Sequence, residues 1–228
     1  MTEEAIHKSR TERTCAILRD AIIRSEYRPG QKLRIDSLGK TLDASIGAVR
    51  EALSRLTAEG LVIAEPQKGF VVAPISRRDL IDLTEVRIDV ECRCLTETIA
   101  NGTLDWEADL LSVQHKLRAL GAKYEPAGTE VARQWHLVHA AFHDQLTNAC
   151  GNLWWLKIRQ QLYVQSERYR RLSGPLDRVG RDIAAEHDAI ADAALARDAE
   201  AASAAMREHL SRTTRIILES AIPFTDAI

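Results

Sequence analysis

The sequence predicts a mainly α protein: an N-terminal winged helix-turn-helix of three helices plus a β-hairpin, followed by an all-α helical bundle. Three observations carry that expectation. Apolar residues recur at helical spacing along most of the 228 residues. Strand character is confined to one stretch, Leu61-Val62-Ile63 and Phe70-Val71-Val72 on either side of the turn residues Glu65-Pro66-Gln67-Lys68-Gly69. The length suits a module of about 70 residues joined to one of about 150, both ordinary domain sizes.

The first expected helix covers residues 11–25, with Cys15, Leu18, Ala21 and Ile22 on one face, and Arg28-Pro29-Gly30 stops it. The second spans about 35–42 and turns Ile35, Leu38 and Leu42 inward. After a corner at Asp43-Ala44, the Ser45 hydroxyl caps the third helix. Its apolar face is Val49, Ala52, Leu53 and Leu56, and Gly60 suits its left-handed stop. The hairpin follows as the wing. This module takes residues 1–73, residues 74–78 read as a linker, and 79–228 form the bundle. Bundle helices are expected near 78–101, 104–123, 127–148, 152–173, 177–197 and 199–220. Asn101-Gly102, Glu125-Pro126, Gly151 and Gly174-Pro175 separate the first five, and alanine enrichment from Ala189 to Ala205 favours helix.

Composition narrows the class. Hydrophobic residues at 45% and charged residues at 28% are those of a soluble globular protein. No apolar run approaches the ~20 residues of a membrane helix, and the polar start Met1-Thr2-Glu3-Glu4 does not read as a secretory signal. Cys15, Cys92, Cys94 and Cys150 form no Cys-x-x-Cys pair, so reduced thiols of a cytoplasmic protein are expected. Residues 1–73 carry 12 Lys/Arg against 10 Asp/Glu, whereas the remainder carries 19 against 23. A slightly basic module is thus joined to an acidic one, which fits a nucleic-acid partner at the N-terminal end.

A winged helix reads DNA by putting the N-terminal turn of one helix on the floor of the major groove. Here that helix starts at Ser45, and its outward side is expected to carry Ser45, Gly47, Ala48, Arg50 and Ser54. Arg50 suits a phosphate or a guanine edge, and Gly47 and Ala48 permit close approach. Lys68 and Gly69 at the wing tip suit the adjacent minor groove, and Arg34 and Lys32 suit phosphates. The stretch RPGQKLRIDSLGKTLDASIGAVREALSRLTAEGLVIAEPQKGFVV resembles the winged helix of the GntR family at Pro29-Gly30, Leu33, Leu38, Val49-Arg50-Glu51-Ala52-Leu53, Leu56, Glu59-Gly60-Leu61-Val62 and Gly69. One position departs from the family pattern: Ile46 stands where an arginine usually follows the capping serine. Ile46 either extends the buried stripe, three residues before Val49, or meets a thymine methyl.

Four histidines in the bundle have the spacing of a metal site built across three helices: His139 and His143 on one face, then His187, then His209. The segment His139-Ala-Ala-Phe-His143 lacks the glutamate of the zinc-protease motif, and Glu-x-x-His is absent from the bundle. His136, one turn earlier, is a weaker candidate. The stretches AAFHDQLTNACGN, EHDAIADAALARDAEAA and MREHL resemble the C-terminal FCD domain of FadR-type GntR regulators. That resemblance implies a metal bound by one Asp and three His, with His139 standing at the Asp position. An all-nitrogen set favours zinc, nickel or copper over manganese, magnesium or calcium, so a divalent transition metal, zinc foremost and nickel next, is the expected cofactor. The resemblance also marks Arg87, four residues before Glu91, for an effector carboxylate, or alternatively for a helix-surface ion pair. Arg159 and Tyr163 are further effector-binding candidates, while Trp154 and Trp155 read as core or interface.

The expected protein is a DNA-binding transcriptional regulator, repressor in sign on family grounds, with a double-stranded operator, a small carboxylate effector and a second copy of itself as partners. Two recognition helices about 34 Å apart would match the half-sites of a near-palindrome. A metal-dependent enzyme using the histidines, and a constitutive DNA-binding dimer with a purely structural bundle, are the alternatives.

Overall fold

The computed structural model describes residues 3–122, 129–172, 181–222 and 224–225, with side chains from residue 10 onward. The expected helix ends at 123, 127–128, 173 and 177–180, together with the breaks at Glu125-Pro126 and Gly174-Pro175, lie outside the described residues. The chain divides into two compact units: residues up to Leu80 group with Val164–Leu172, and Ile81–Tyr163 group with the segment ending at Ile222.

The first unit contains α1 (Glu3–Ile23), β1 (Lys32–Leu33), α2 (Ile35–Leu42), α3 (Ile46–Ala58), β2 (Val62–Glu65) and β3 (Gly69–Val72). Helix α1 starts eight residues before the expected residue 11, because Glu, Ala and Lys favour helix without offering a periodic signal. It ends at Ile23, before Arg28-Pro29-Gly30 is reached: Ser25 takes a left-handed φ of 62°, and the Glu26 amide donates back to the Ala21 carbonyl at 3.0 Å. A short strand joins the expected hairpin, giving an antiparallel sheet of order β1-β3-β2 with Lys32 opposite Val71 and Val62 opposite Val72. Leu18, Ile22, Leu33, Leu38, Val49, Leu53, Leu56, Leu61 and Val72 make the core of this unit. Arg168 braces it by donating to the carbonyls of Gly60, Ala73 and Pro74 at 3.3, 2.9 and 3.0 Å.

The second unit is built from α4 (Arg77–Asn101) after its first turn, α5 (Leu104–Gly121), α6 (Glu130–Gln145), the first half of α7 (Leu153–Leu172), α8 (Ile183–Leu195) and α9 (Ala199–Glu219). Helix α4 begins inside the stretch 74–78 expected as linker: Ser76, whose hydroxyl accepts from the Asp79 amide at 3.0 Å, turns the chain into it. Thr103, Thr129, Asp182 and Asp198 cap α5, α6, α8 and α9 by accepting from the amide three residues on. Helix α5 packs on α6 and α8, and α8 packs on α9, around Leu95, Leu110, Phe142, Leu146, Ile190 and Met206.

The α4–α5 corner depends on the smallness of Gly102. A β-carbon there would collide with the Trp106 ring and lie 3.0 Å from the Thr98 carbonyl oxygen. Trp106 cannot retreat easily, since its indole N–H donates to the Gln145 carbonyl at 2.9 Å and its side chain is 5% exposed. Gly102→Ala is therefore expected to cost about 1–3 kcal/mol by overpacking, read as a lower denaturant midpoint at unchanged slope.

Candidate DNA-reading helix and metal centre

Helix α3 begins as the sequence expects. Ser45 is extended (φ −66°, ψ 153°) and its hydroxyl accepts from the Ala48 amide at 3.2 Å. Gly47, Arg50 and Ser54 are exposed, and the Arg50 guanidinium makes no hydrogen bond or ion pair among the described residues. Ala48 does not join them: it is 2% exposed, because it lies one turn before Ala52 on the core face. Ile46 is 55% exposed, so it does not extend the buried stripe. Gln67 and Gly69 both take left-handed backbone (φ 63° and 88°) at the wing turn. Lys68 beside them is 75% exposed and pairs with Glu65 at 3.0 Å. Arg34 is exposed at the start of α2.

The four histidines meet. His139 and His143 stand one turn apart on the buried face of α6, His187 comes from α8 and His209 from α9. All are at most 5% exposed, and one ring nitrogen from each falls within 4.8 Å of the others. Ring centroids are 4.6 Å apart for His139–His143 and 4.8 Å for His187–His209. Trp135 stacks on His139 at 4.7 Å and fixes its plane. His136 lies outside the set, half-buried with its edge against Trp135.

Burial, followed by the charges of His209, His187, Arg87 and Arg159, holds His143 well below the usual histidine range. Burial also lowers His209 against the opposing hydrogen bond to Glu186. Neutral imidazoles are the form that binds a metal. Nδ1 of His143 is buried and finds no hydrogen-bond partner among the described residues. A buried ring nitrogen without a partner is costly, and a bound cation would satisfy it, so the donor set fits a divalent transition metal.

Two charged groups flank the histidines. On one side Arg159 donates through Nε to Glu91 (2.7 Å), through Nη1 to Asp144 (2.8 Å) and through Nη2 to the His143 carbonyl (2.7 Å). All three nitrogens are thus spent on holding α7 to α4 and α6. Arg87 reaches Glu91 by two long bonds, both 3.3 Å and both to one oxygen, so the expected ion pair forms, but it is buried rather than on the surface. Tyr163 is 7% exposed; its ring lies 5.1 Å from the Arg87 guanidinium and 6.4 Å from the His143 ring. Arg87, Arg159 and Tyr163 therefore gather beside His143. Trp154 is 71% exposed with Lys157 over its ring, while Trp155 packs with Cys94 and Cys150.

On the other side Glu186 receives Arg181 on both oxygens at 2.9 and 2.6 Å, and Arg212 at 3.2 Å. It meets Nδ1 of His209 at 2.8 Å. Burial pushes the Glu186 carboxyl up, but hydrogen bonds from His209 and Arg181 outweigh it and bring it down to about 2. Sequence reading missed Arg181, Glu186 and Asp144. Glu186 adjoins His187 but serves His209, 23 residues away, and no local spacing reports that.

A capped helix with an exposed arginine, a wing, and a separate bundle enclosing metal-type ligands together define the class of DNA-binding transcriptional regulators. Residues 10–72 match the bacterial regulatory proteins of the gntR family, and residues 82–212 match the FCD domain. The chain belongs to the GntR family, among its FCD-bearing members. It is 37% identical over 210 residues to the uncharacterized HTH-type transcriptional regulator BphR of Paraburkholderia xenovorans (strain LB400), covering 92% of this chain and 86% of that one. It is 35% identical over 207 residues to the HTH-type transcriptional repressor GlaR of Escherichia coli (strain K12), covering 89% and 93%. Among solved structures, a putative transcriptional regulator GntR from Rhodococcus sp. RHA1 is similar with TM-score 0.74 and 25% identity, over 94% of this chain and 100% of that one. E. coli McbR/YncC shares the fold with TM-score 0.77 at 20% identity, over 92% and 97%. These domains and relatives are transcriptional regulators, not enzymes. Among the described residues no helix is long and apolar enough to cross a membrane.

Proposed function

We propose that this regulator is a cytoplasmic homodimeric repressor whose bundle binds one zinc-class ion and a small carboxylate effector that releases it from its operator. The buried convergence of four imidazoles carries the reading: His139, His143, His187 and His209 offer four nitrogens within 4.8 Å of one another, a set made of imidazoles alone. Bound there, the ion supplies positive charge against which an anionic ligand can sit. The chain's own residues favour the same ligand. Arg87 adds a second positive charge beside His143, and its long bonds to a single Glu91 oxygen are easily exchanged for the shorter bidentate pair a carboxylate offers. Arg159 holds His143 and α7 in place, and Tyr163 walls the same region. In the first unit Gly47 and Arg50 face the base edges, Ser45, Arg34, Lys32 and Lys68 the phosphates, and Gly69 lets the wing approach the minor groove. Ile46, exposed at the first turn of α3, is suited to a thymine methyl. The effector acts only to the extent that it binds the DNA-released state more tightly than the DNA-bound one. The repressor sign follows the similarity to GlaR, which is named as one.

Competitive metal titration of the full-length protein tests the reading. Zinc and nickel are expected to bind with one ion per chain and to outcompete magnesium and calcium at neutral pH. An order in which magnesium or calcium wins would overturn the four-nitrogen site. In a screen of small carboxylates, the effector is expected to raise the melting temperature of the metal-loaded protein and to lower its operator affinity.

A further inference from the structure

The four imidazoles differ in what holds their second nitrogen. Nδ1 of His209 meets Oε2 of Glu186 at 2.8 Å and Nη2 of Arg181 at 3.4 Å. An ionised carboxylate accepts only, and an arginine donates only, so the two neighbours ask for opposite tautomers. Distance decides between them. A bare Nδ1 lone pair 2.8 Å from a carboxylate oxygen would be strongly repelled, whereas a weak 3.4 Å contact to the guanidinium is cheap to forgo. Nδ1 therefore carries the proton, and Nε2 is the nitrogen left with a lone pair for the cluster. The carboxylate is itself fixed: Arg181 grips both its oxygens, Arg212 reaches one of them, and Arg181 also donates to the His209 carbonyl at 3.3 Å and to Thr213 Oγ1 at 2.9 Å. Side-chain exposure is 3% for Arg181 and 12% for Glu186.

We infer that Glu186, held by Arg181, is a positioning residue of the metal centre: it locks His209 in the tautomer that presents Nε2 and lends the ligand negative charge through the Nδ1–H bond. The inference rests on the metal-binding reading above. It also answers a deficit in the site. With His139 where the family resemblance implies an aspartate, no first ligand carries a negative charge, and Glu186 supplies one a single hydrogen bond away. Carboxylates bonded to the outer nitrogen of a ligating histidine raise its basicity, and their loss typically weakens metal binding roughly 10- to 100-fold.

The test uses full-length protein, metal-stripped and then titrated with zinc against a chromogenic chelator, in wild type, Glu186→Gln and His187→Ala. Glutamine keeps the shape, but it can either donate or accept at Nδ1 and has no charge. Glu186→Gln is expected to bind zinc roughly 10- to 100-fold more weakly, and His187→Ala more weakly still. Wild-type zinc binding with an unchanged Glu186→Gln affinity overturns the inference and leaves the metal reading standing. Failure of the wild type to bind zinc overturns both. Because removing one member of a buried ion pair can unfold the variant, the second readout needs no mutation. Nitrogen-15 chemical shifts of histidine-labelled, metal-free wild type report the tautomer of His209. The Nδ1–H form is expected, and the Nε2–H form overturns the inference.

Discussion

A His143→Ala protein is expected to lose zinc affinity by two orders of magnitude or more while keeping its winged helix intact. His143 is 1% exposed, stands within ring contact of the other three ligands, and has a buried Nδ1 with no hydrogen-bond partner among the described residues. Zinc sites built from four side chains are worth about 10–16 kcal/mol. A quarter of that is roughly 2.5–4 kcal/mol, a factor of ~100 to ~1000 in the dissociation constant. The loss should be specific to the ion. Removing a buried, neutral imidazole does not strand a charge, and the core around Leu18, Leu53 and Leu61 belongs to the other unit. Chelator competition measures the affinity, and circular dichroism of the metal-free protein shows whether the helices persist. The corresponding change at His139 has a different expected result. His139→Asp puts a carboxylate into an otherwise unchanged set, so manganese and magnesium should gain on zinc.

Arg50→Ala is expected to weaken operator binding about 10- to 100-fold per recognition helix. The side chain leaves the exposed face of α3 one turn after the Ser45 cap, and no acidic neighbour competes for it, in contrast to Arg55, which Glu51 holds at 2.6 Å. Two readouts separate its modes of contact. If it reads a base, the variant tolerates substitutions at one operator position and keeps the wild-type salt slope. If it neutralises a phosphate, affinity falls uniformly over sequences and the slope of log affinity against log salt drops by about one per contact. Lys68→Ala is expected to do much less, since Glu65 already offsets its charge.

The outline of both units was legible because the signals that specify them are local. Ser45 and Gly60 bracket α3, and Val49, Ala52, Leu53 and Leu56 repeat at helical spacing; no long-range contact is needed to read them. The histidines were legible for the same reason, since His139 and His143 share a face by spacing alone and the family resemblance supplied the other two. What was not legible depends on pairings across the fold. β1 is two residues long and exists only because β3 lies beside it. Ala48 carries no polar group to mark a face, so its place on the core side is decided by packing. Arg159 is an effector-binding candidate in the sequence, yet Glu91, 68 residues away, and Asp144 engage it. The Arg181–Glu186–His209 chain spans 28 residues and follows from how α8 lies against α9.

The most direct measurement offers one pool of fragmented genomic DNA to the metal-loaded and the metal-stripped protein and sequences what each retains. The metal-loaded protein is expected to enrich one short near-palindrome, with retention falling steeply as salt rises, and small carboxylates are expected to release it only when the metal is present. Retention that scales with fragment abundance and favours no sequence, or release by ligand that is indifferent to the metal, would contradict the proposed function.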